Sequence, residues 1–456
     1  MLLFILIISL LIRLITLLAP RAIWWDGAIY VDMGKYIFSH GTIGFWEGFR
    51  PVVWPAILGS FWKLGLDSYN WGIYLQIVAG LFAVYFVYKI AEIVKSGSGP
   101  YAAVLISFSP IILAFTTVPI TDIPSMAIAL GAIYAFLSGA FITSGVLVAC
   151  AFLFRFPQIL IGLPLGIAAL QYVISEKKWQ PLLKLALGSF PVLIAYLLLN
   201  LKMYGNALKP IIDGSSVAAG SFGPYDHQTF FYIVAPIAEN PFLILSLVFL
   251  FVFLRKPKEL LANTAALLTL ISGLLLCGYF SFFPHKELRY AISFLPYLAI
   301  MAGFGIYYIT RRFPLRYAQP IIVGLLSVVL IVISTSLLQR SKPAPIAPQR
   351  QAFFNYFKQT PGAKILASSP QLAVDADIKL ERVSGMWEDL YDHYRYSGVH
   401  FDYIAIDTCE MLCRTNNCEA NKEEFFQTLG KENTQVFSNM IPDTSCRLFI
   451  YKAPTQ

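Results

Sequence analysis

The sequence predicts a polytopic α-helical membrane protein carrying a small extracytoplasmic α/β domain at its C-terminus. Three observations predict this. Hydrophobic residues make up 57% of the 456 residues and charged residues only 13%, a balance outside the range of soluble domains. Apolar runs long enough for a hydrocarbon core of ~30 Å recur from Leu2 to about Leu338 without strand-like alternation. Beyond Ser341 the apolar density collapses, and four of the six cysteines lie there.

About eleven spans follow, at roughly 2–20, 71–90, 101–116, 123–138, 140–154, 157–174, 181–200, 241–254, 260–282, 291–309 and 318–338. The first lacks a basic stretch before it and a small-x-small cleavage site after it, so it reads as a span and not as a signal peptide. Basic residues set the orientation. Lys89, Lys95, Lys177, Lys178, the Arg255-Lys256-Pro257-Lys258 loop, Arg311, Arg312 and Arg316 all fall on one side, the cytoplasm. The opposite face receives a long first loop (21–70), the approach to Asp122, Arg155, the segment 201–240, the loop at His285 and the tail.

The boundary is placed at residue 340. A transmembrane domain spans 1–340 and an α/β domain 341–456, with Ser341-Lys342-Pro343-Ala344-Pro345 as linker. In the tail, strand-like runs (364–367, 403–406, 448–451) mix with helix-like ones (350–359, 422–429). Cys409, Cys413, Cys418 and Cys446 suggest disulfides in an oxidising space, with three pairings open. A zinc site is the rival, although the spacings do not give the usual C-x2-C pairs.

Unusual charges cluster on the outer face. His285-Lys286-Glu287-Leu288-Arg289-Tyr290 is wedged between two apolar runs, where three potential cations suit a lipid phosphate better than they suit packing. Asp26 stands just past the first span in Trp24-Trp25-Asp26. Six of the eight tryptophans lie in that loop or at its edges, as interfacial anchors with one or two suited to stacking on sugar. Phe49-Arg50-Pro51 leads into an amphipathic stretch, Ala56 to Leu66, that reads as an interfacial helix, and Asp67-Ser68 offers the N-cap of the second span. Asp122 caps another span or serves as a second carboxylate facing the same cavity as Asp26. Arg155 needs an anionic partner, either Asp122 or a ligand phosphate. The net charge of +8 is spread over short loops and no phosphate-cradling glycine loop is present, which argues against nucleic acid and against nucleotide-driven transport.

These patches together resemble the GT-C superfamily of polyprenyl-phosphate-sugar-dependent glycosyltransferases, nearest to the dolichyl-phosphate-mannose protein mannosyltransferase-like branch. The resemblance covers the membrane portion. It rests on Asp26, Arg50-Pro51, Thr121-Asp122-Ile123-Pro124, Arg155, and a His285-to-Tyr290 segment similar to a His-Lys-Glu-x-Arg signature. It implies a GT-C-like fold and a hexosyltransferase, with mannose among the candidate sugars. The implied donor is a polyprenyl-phosphate sugar, the acceptor a hydroxyl on protein, glycolipid or glycan, with inversion at the sugar. Asp26 would be the general base, with Asp122 beside it in the catalytic set. Arg50, Arg155, His285, Lys286, Glu287, Arg289 and Tyr290 would bind substrate. Membrane lipid is the implied environment and no cofactor is called for, a divalent metal remaining open. Trp24-Trp25-Asp26 is also similar to the Trp-Trp-Asp signature of oligosaccharyltransferases; those carry it in a large C-terminal domain, so the match is read as coincidence. The alternative class is a multi-span transporter or flippase for a lipid-linked or anionic solute.

Overall fold

The computed structural model describes residues 1–18, 23–220, 227–311, 318–340, 347–413, 418–442 and 444–454. The linker at 341–345 and the basic residues Arg312 and Arg316 lie outside them. In chain order the helices begin with α1 (Leu2–Thr16), α2 (Trp25–Phe38), α3 (Val53–Lys63) and α4 (Ser68–Val94). Then follow α5 (Gly99–Ser107), α6 (Pro110–Phe115), α7 (Asp122–Leu137), α8 (Phe141–Phe154), α9 (Gly162–Glu176) and α10 (Gln180–Tyr204). The remaining helices before the tail are α11 (Lys209–Ala219), α12 (Phe231–Glu239), α13 (Ser246–Arg255), α14 (Pro257–Ala262), α15 (Thr264–Phe282), α16 (Leu295–Thr310) and α17 (Ala318–Arg340).

The chain divides into two compact units. One comprises Met1–Ala19, Phe49–Pro51 and Ile73–Lys342; the other comprises Pro20–Gly48, Val52–Gly72 and Pro343–Gln456. Most of the segment 21–70 therefore groups with the tail, whereas the boundary at residue 340 had placed it with the spans.

The first unit is a helical membrane domain. Among the described residues, five helices are long and apolar enough to cross a membrane: Ser68–Val94, Phe156–Glu176, Gln180–Tyr204, Thr264–Phe282 and Ala318–Leu337. A bent pair, Phe231–Glu239 with Pro241–Arg255, turns through 119° and makes a sixth if counted as one broken span. Four shorter apolar helices, α1, α7, α8 and α16, have 14 to 16 residues. The expected run 101–116 is split between α5 and α6 because Pro110 supplies no amide donor. The freed carbonyls find side-chain donors instead. Arg13, wholly buried, donates to the Ser107 carbonyl, and Ser334 donates to that of Phe108. A cation at the C-terminal end of α5 also complements its dipole. Asp67 caps α4 as expected, its Oδ1 accepting the Asn70 amide at 3.0 Å.

The second unit is built on a five-stranded sheet of order β2-β1-β3-β5-β4, with β1 Lys364–Ala367, β2 Lys379–Val383, β3 Tyr403–Asp407, β4 Thr434–Met440 and β5 Arg447–Lys452. β1 runs parallel to β2 and β3, while β5 is antiparallel to β3 and β4. Alternation distributes side chains to two apolar layers. Ile365, Ala367, Ala405, Leu448 and Ile450 face a core with Phe353 and Phe357. Leu366, Ile404, Ile406 and Tyr451 face Trp387, Leu390, Phe425 and Leu429. Of the three possible pairings, the disulfides are Cys409–Cys446 and Cys413–Cys418. The first lies beside an ion pair between Arg350 Nε and the buried Asp407, 2.8 Å apart.

The same unit contains α2 and α3, crossing where two glycines meet. A Cβ on Gly34 would stand 2.6 Å from the Gly59 amide nitrogen, so the backbones touch and neither position accepts a side chain. The amphipathic stretch expected at Ala56 to Leu66 is therefore α3, its inner face (Trp54, Pro55, Leu58, Gly59) buried. Trp54 is core, whereas Trp71 stacks on Phe61 at 5.2 Å and is partly exposed.

Candidate functional site

The membrane unit concentrates its charges around one carboxylate. After α15 the chain passes Pro284 and is extended at Glu287 (φ −121°, ψ 140°) before a 3-10 turn over Leu288–Ser293. Extended backbone sends alternate side chains to opposite sides, which brings His285 and Glu287 together: His285 Nε2 and Glu287 Oε1 are 3.0 Å apart. The tight turn that follows folds Arg289 and Tyr290 back. Arg289 Nη2 donates to Oε1 at 2.7 Å and its Nε lies 2.7 Å from Oε2. The Tyr290 hydroxyl donates to Oε1 at 3.1 Å. Glu287 is thus the hub of the segment.

A second pair adjoins it. Arg155 closes the C-terminal end of α8 and Asp122 opens α7; their Nη1 and Oδ2 are 3.1 Å apart, with Asp122 fully buried. The Arg155 guanidinium also lies 4.9 Å from the Tyr290 ring centre and 5.8 Å from that of Phe280. Of the two partners the sequence offered Arg155, the structure supplies Asp122.

Lys286 is the exception. It is 4% exposed, its Nζ contacts the Pro284 carbonyl only at 3.5 Å, and among the described residues it has no carboxylate partner. Alternation explains this, since Lys286 points away from the side on which His285 and Glu287 meet. Arg155 is matched by Asp122 and Arg289 by Glu287, whereas Lys286, on the other side of the loop, adds a positive charge that no carboxylate among the described residues balances. A buried ammonium without a counter-ion is costly. The arrangement suits an anion that takes up to three hydrogen bonds from Lys286. Arg50, also in this unit, lies with its guanidinium 5.5 Å from the Phe49 ring.

Asp26 belongs to the other unit, in the first turn of α2, where the helix dipole favours a carboxylate. It is 9% exposed. Trp24 donates its amide to the Tyr69 hydroxyl at 3.1 Å, and the Trp25 ring packs on Gly385. Six residues on, Asp32 is completely buried and neither carboxylate oxygen has a hydrogen-bond partner. Lys35, one turn away, is committed elsewhere: its Nζ donates to the carbonyls of Ala373, Val374 and Ala376 at 2.7, 3.0 and 3.1 Å. Asp377 completes that cage at 3.4 Å and accepts from Trp62 Nε1 at 3.1 Å, so the Asp375-Ala376-Asp377 run has a structural use. Among the described residues no three His, Cys, Asp or Glu side chains converge as a metal site.

Burial pushes the Asp32 carboxyl well above the usual carboxylate range; Lys35 opposes this and Asp375 adds to it. A pKa raised on folding makes the protonated form the stable one, so stability is greatest below the unfolded pKa of ~3.9 and is lost as pH rises towards the folded value. Asp32→Asn is therefore expected to raise the unfolding temperature at neutral pH, by on the order of 1–3 kcal/mol in stability, with the gain vanishing near pH 3. A variant less stable than wild type at pH 7 would contradict this. Asp32, Lys35 and Tyr232 are functional or structural positions that the sequence alone did not single out. An Asp-x-x-Lys spacing was visible for the first two; nothing marked the third.

Comparison with known proteins places this geometry in context. Residues 50–202 match the family model described as dolichyl-phosphate-mannose-protein mannosyltransferase. No curated protein matches the chain by sequence. The fold is similar to that of ArnT from Cupriavidus metallidurans bound to undecaprenyl phosphate, with a TM-score of 0.67 and 11% identity over 100% of this chain and 99% of that one. It is also similar to the oligosaccharyltransferase of Archaeoglobus fulgidus tethered to an acceptor peptide, with a TM-score of 0.61 and 11% identity over 100% of this chain and 74% of that one. The fold is the GT-C-like architecture that the sequence led us to expect, polytopic helices with a small C-terminal sheet domain.

Proposed function

We propose that the chain is a membrane glycosyltransferase that moves a sugar from a polyprenyl monophosphate to an acceptor hydroxyl on the extracytoplasmic face. One observation carries the reading: in a loop where every other basic side chain is paired, the buried Lys286 is left for an external anion. The matched family model and the undecaprenyl phosphate named for the ArnT structure support a lipid phosphate as that anion. Asp26 is the general base. It takes the acceptor's proton as the hydroxyl oxygen bonds to the anomeric carbon; the bond from that carbon to the phosphate oxygen breaks, and the configuration inverts. The phosphate leaves without a general acid, and Lys286 stabilises the charge gathering on it. Glu287 holds His285, Arg289 and Tyr290 in register, and Asp122 holds Arg155 against Tyr290. A hexose is the expected sugar, mannose among the candidates.

Purified protein given a radiolabelled polyprenyl-phosphate hexose and a hydroxyl acceptor should release polyprenyl phosphate. The 119° break between α12 and α13 favours a second reading, since broken helices line many transport pathways. Reconstituted vesicles separate the two: movement of intact donor across the bilayer with no cleavage would favour the transporter and end the enzymatic reading.

The orientation has its own test. Arg255, Lys256 and Lys258 support a cytoplasmic loop at 255–258, and the two disulfides support an extracytoplasmic tail. A single cysteine introduced at 255–258, in a background without Cys150 and Cys277, should resist an impermeant maleimide in intact cells. Labelling before permeabilisation would reverse the proposed topology.

A further inference from the structure

Tyr232 stands in the first turn of α12, the shorter arm of the bent pair, and is 1% exposed. The bend follows from Asn240, held near the extended region (φ −139°, ψ 88°) by the ring of Pro241. It leaves α12 a separate piece packed against the loop after α15. The Tyr232 hydroxyl donates to the Glu287 carbonyl at 3.0 Å and accepts from the Glu287 amide at 3.1 Å. One proton and two lone pairs serve both bonds. The ring is fixed edge-on against Phe280 and Phe294, with centres 6.3 and 5.8 Å apart.

Both bonds go to backbone, and that decides what they do. The Glu287 amide belongs to the peptide plane shared with Lys286, and the Glu287 carbonyl to the plane shared with Leu288. One hydroxyl therefore holds the planes on either side of Glu287. Rotation of either plane would redirect Lys286 or turn the Glu287 carboxylate away from His285, Arg289 and Tyr290. We propose that Tyr232 is the positioning residue of the anion site, fixing the Glu287 backbone so that Lys286 and the Glu287 hub keep to opposite sides of the loop. This rests on the reading of that loop as a phosphate site.

The test is binding of a polyprenyl monophosphate to the purified full chain in detergent, well below its unfolding temperature. Four proteins are compared: wild type, Tyr232→Phe, Lys286→Gln and the double variant. Tyr232→Phe keeps the ring contacts and loses only the hydroxyl. Affinity should fall about tenfold, the scale of one lost hydrogen-bonded anchor. The double variant should bind little worse than Lys286→Gln alone, because Tyr232 acts through the loop that carries Lys286. A lower unfolding temperature with unchanged affinity would reduce Tyr232 to a packing residue and overturn the inference, as would strictly additive losses. Wild type that fails to bind the probe would overturn the phosphate reading itself, whereas wild type that binds, with Lys286→Gln weakened and Tyr232→Phe unchanged, would overturn the positioning role alone.

Discussion

Asp26→Asn should lower turnover at least ~100-fold, the scale of lost general-base work, while leaving affinity for a polyprenyl monophosphate nearly unchanged. The change is close to isosteric. It removes one negative charge from the first turn of α2, a loss of roughly 0.3–1 kcal/mol in helix-dipole interaction, too small to unfold a unit that also holds a five-stranded sheet. A fall in rate would therefore report on chemistry. With phosphate as leaving group, one carboxylate is enough, in contrast to the acid–base pair of a glycoside hydrolase. Single-turnover release of polyprenyl phosphate measures the effect. Wild-type rates in Asp26→Asn would remove the residue from the mechanism.

Where the fold was legible, hydrophobicity alone set the element. The expected run 318–338 is α17 (Ala318–Arg340), and 140–154 is α8 (Phe141–Phe154). The strand-like runs at 364–367, 403–406 and 448–451 are β1, β3 and β5 to within a residue at either end. Length and composition qualify fewer spans than the eleven expected, because several apolar runs are divided by proline or fold as helices of 14 to 16 residues. α2 was read as loop because Asp26, Asp32 and Lys35 interrupt its apolar pattern, and these are buried through contacts that no local pattern encodes. β4 is an edge strand exposed at six of its seven positions, so it shows none of the alternation by which strands are read.

The site divides along the same line. Glu287 finds His285, Arg289 and Tyr290 within three residues of itself, and so dense a segment could be picked out directly. Its internal pairing could not. Arg289 was expected to fork onto a ligand phosphate, and the structure turns that fork towards Glu287 instead. Asp122 and Arg155, 33 positions apart in the sequence, could be proposed as partners only because each stood out in an apolar run. Tyr232, 55 residues from Glu287, was beyond reach: a single tyrosine in an apolar segment has no signature until the chain folds.

That redistribution puts the second large effect on Lys286. Lys286→Gln is expected to weaken binding of a polyprenyl monophosphate by about ten- to a hundredfold, the loss of one charge-assisted contact of roughly 1.5–3 kcal/mol. Glutamine keeps much of the length and can still donate, so the deficit isolates the charge. Turnover should fall more steeply than affinity, because charge builds on the phosphate as its bond to the sugar breaks and the ammonium is worth most at that point. Lys286→Arg should restore the effect only in part: a planar fork does not fit a nearly enclosed position shaped around a compact ammonium. The acceptor's KM should not move. Arg289→Ala should also weaken binding, but by loosening Glu287, and it should carry a loss of stability that Lys286→Gln lacks, since it removes a short contact to a largely buried carboxylate. Equilibrium binding and thermal unfolding of the two variants side by side distinguish these routes. Wild-type affinity and turnover in Lys286→Gln would show that the unpaired ammonium serves no anionic substrate.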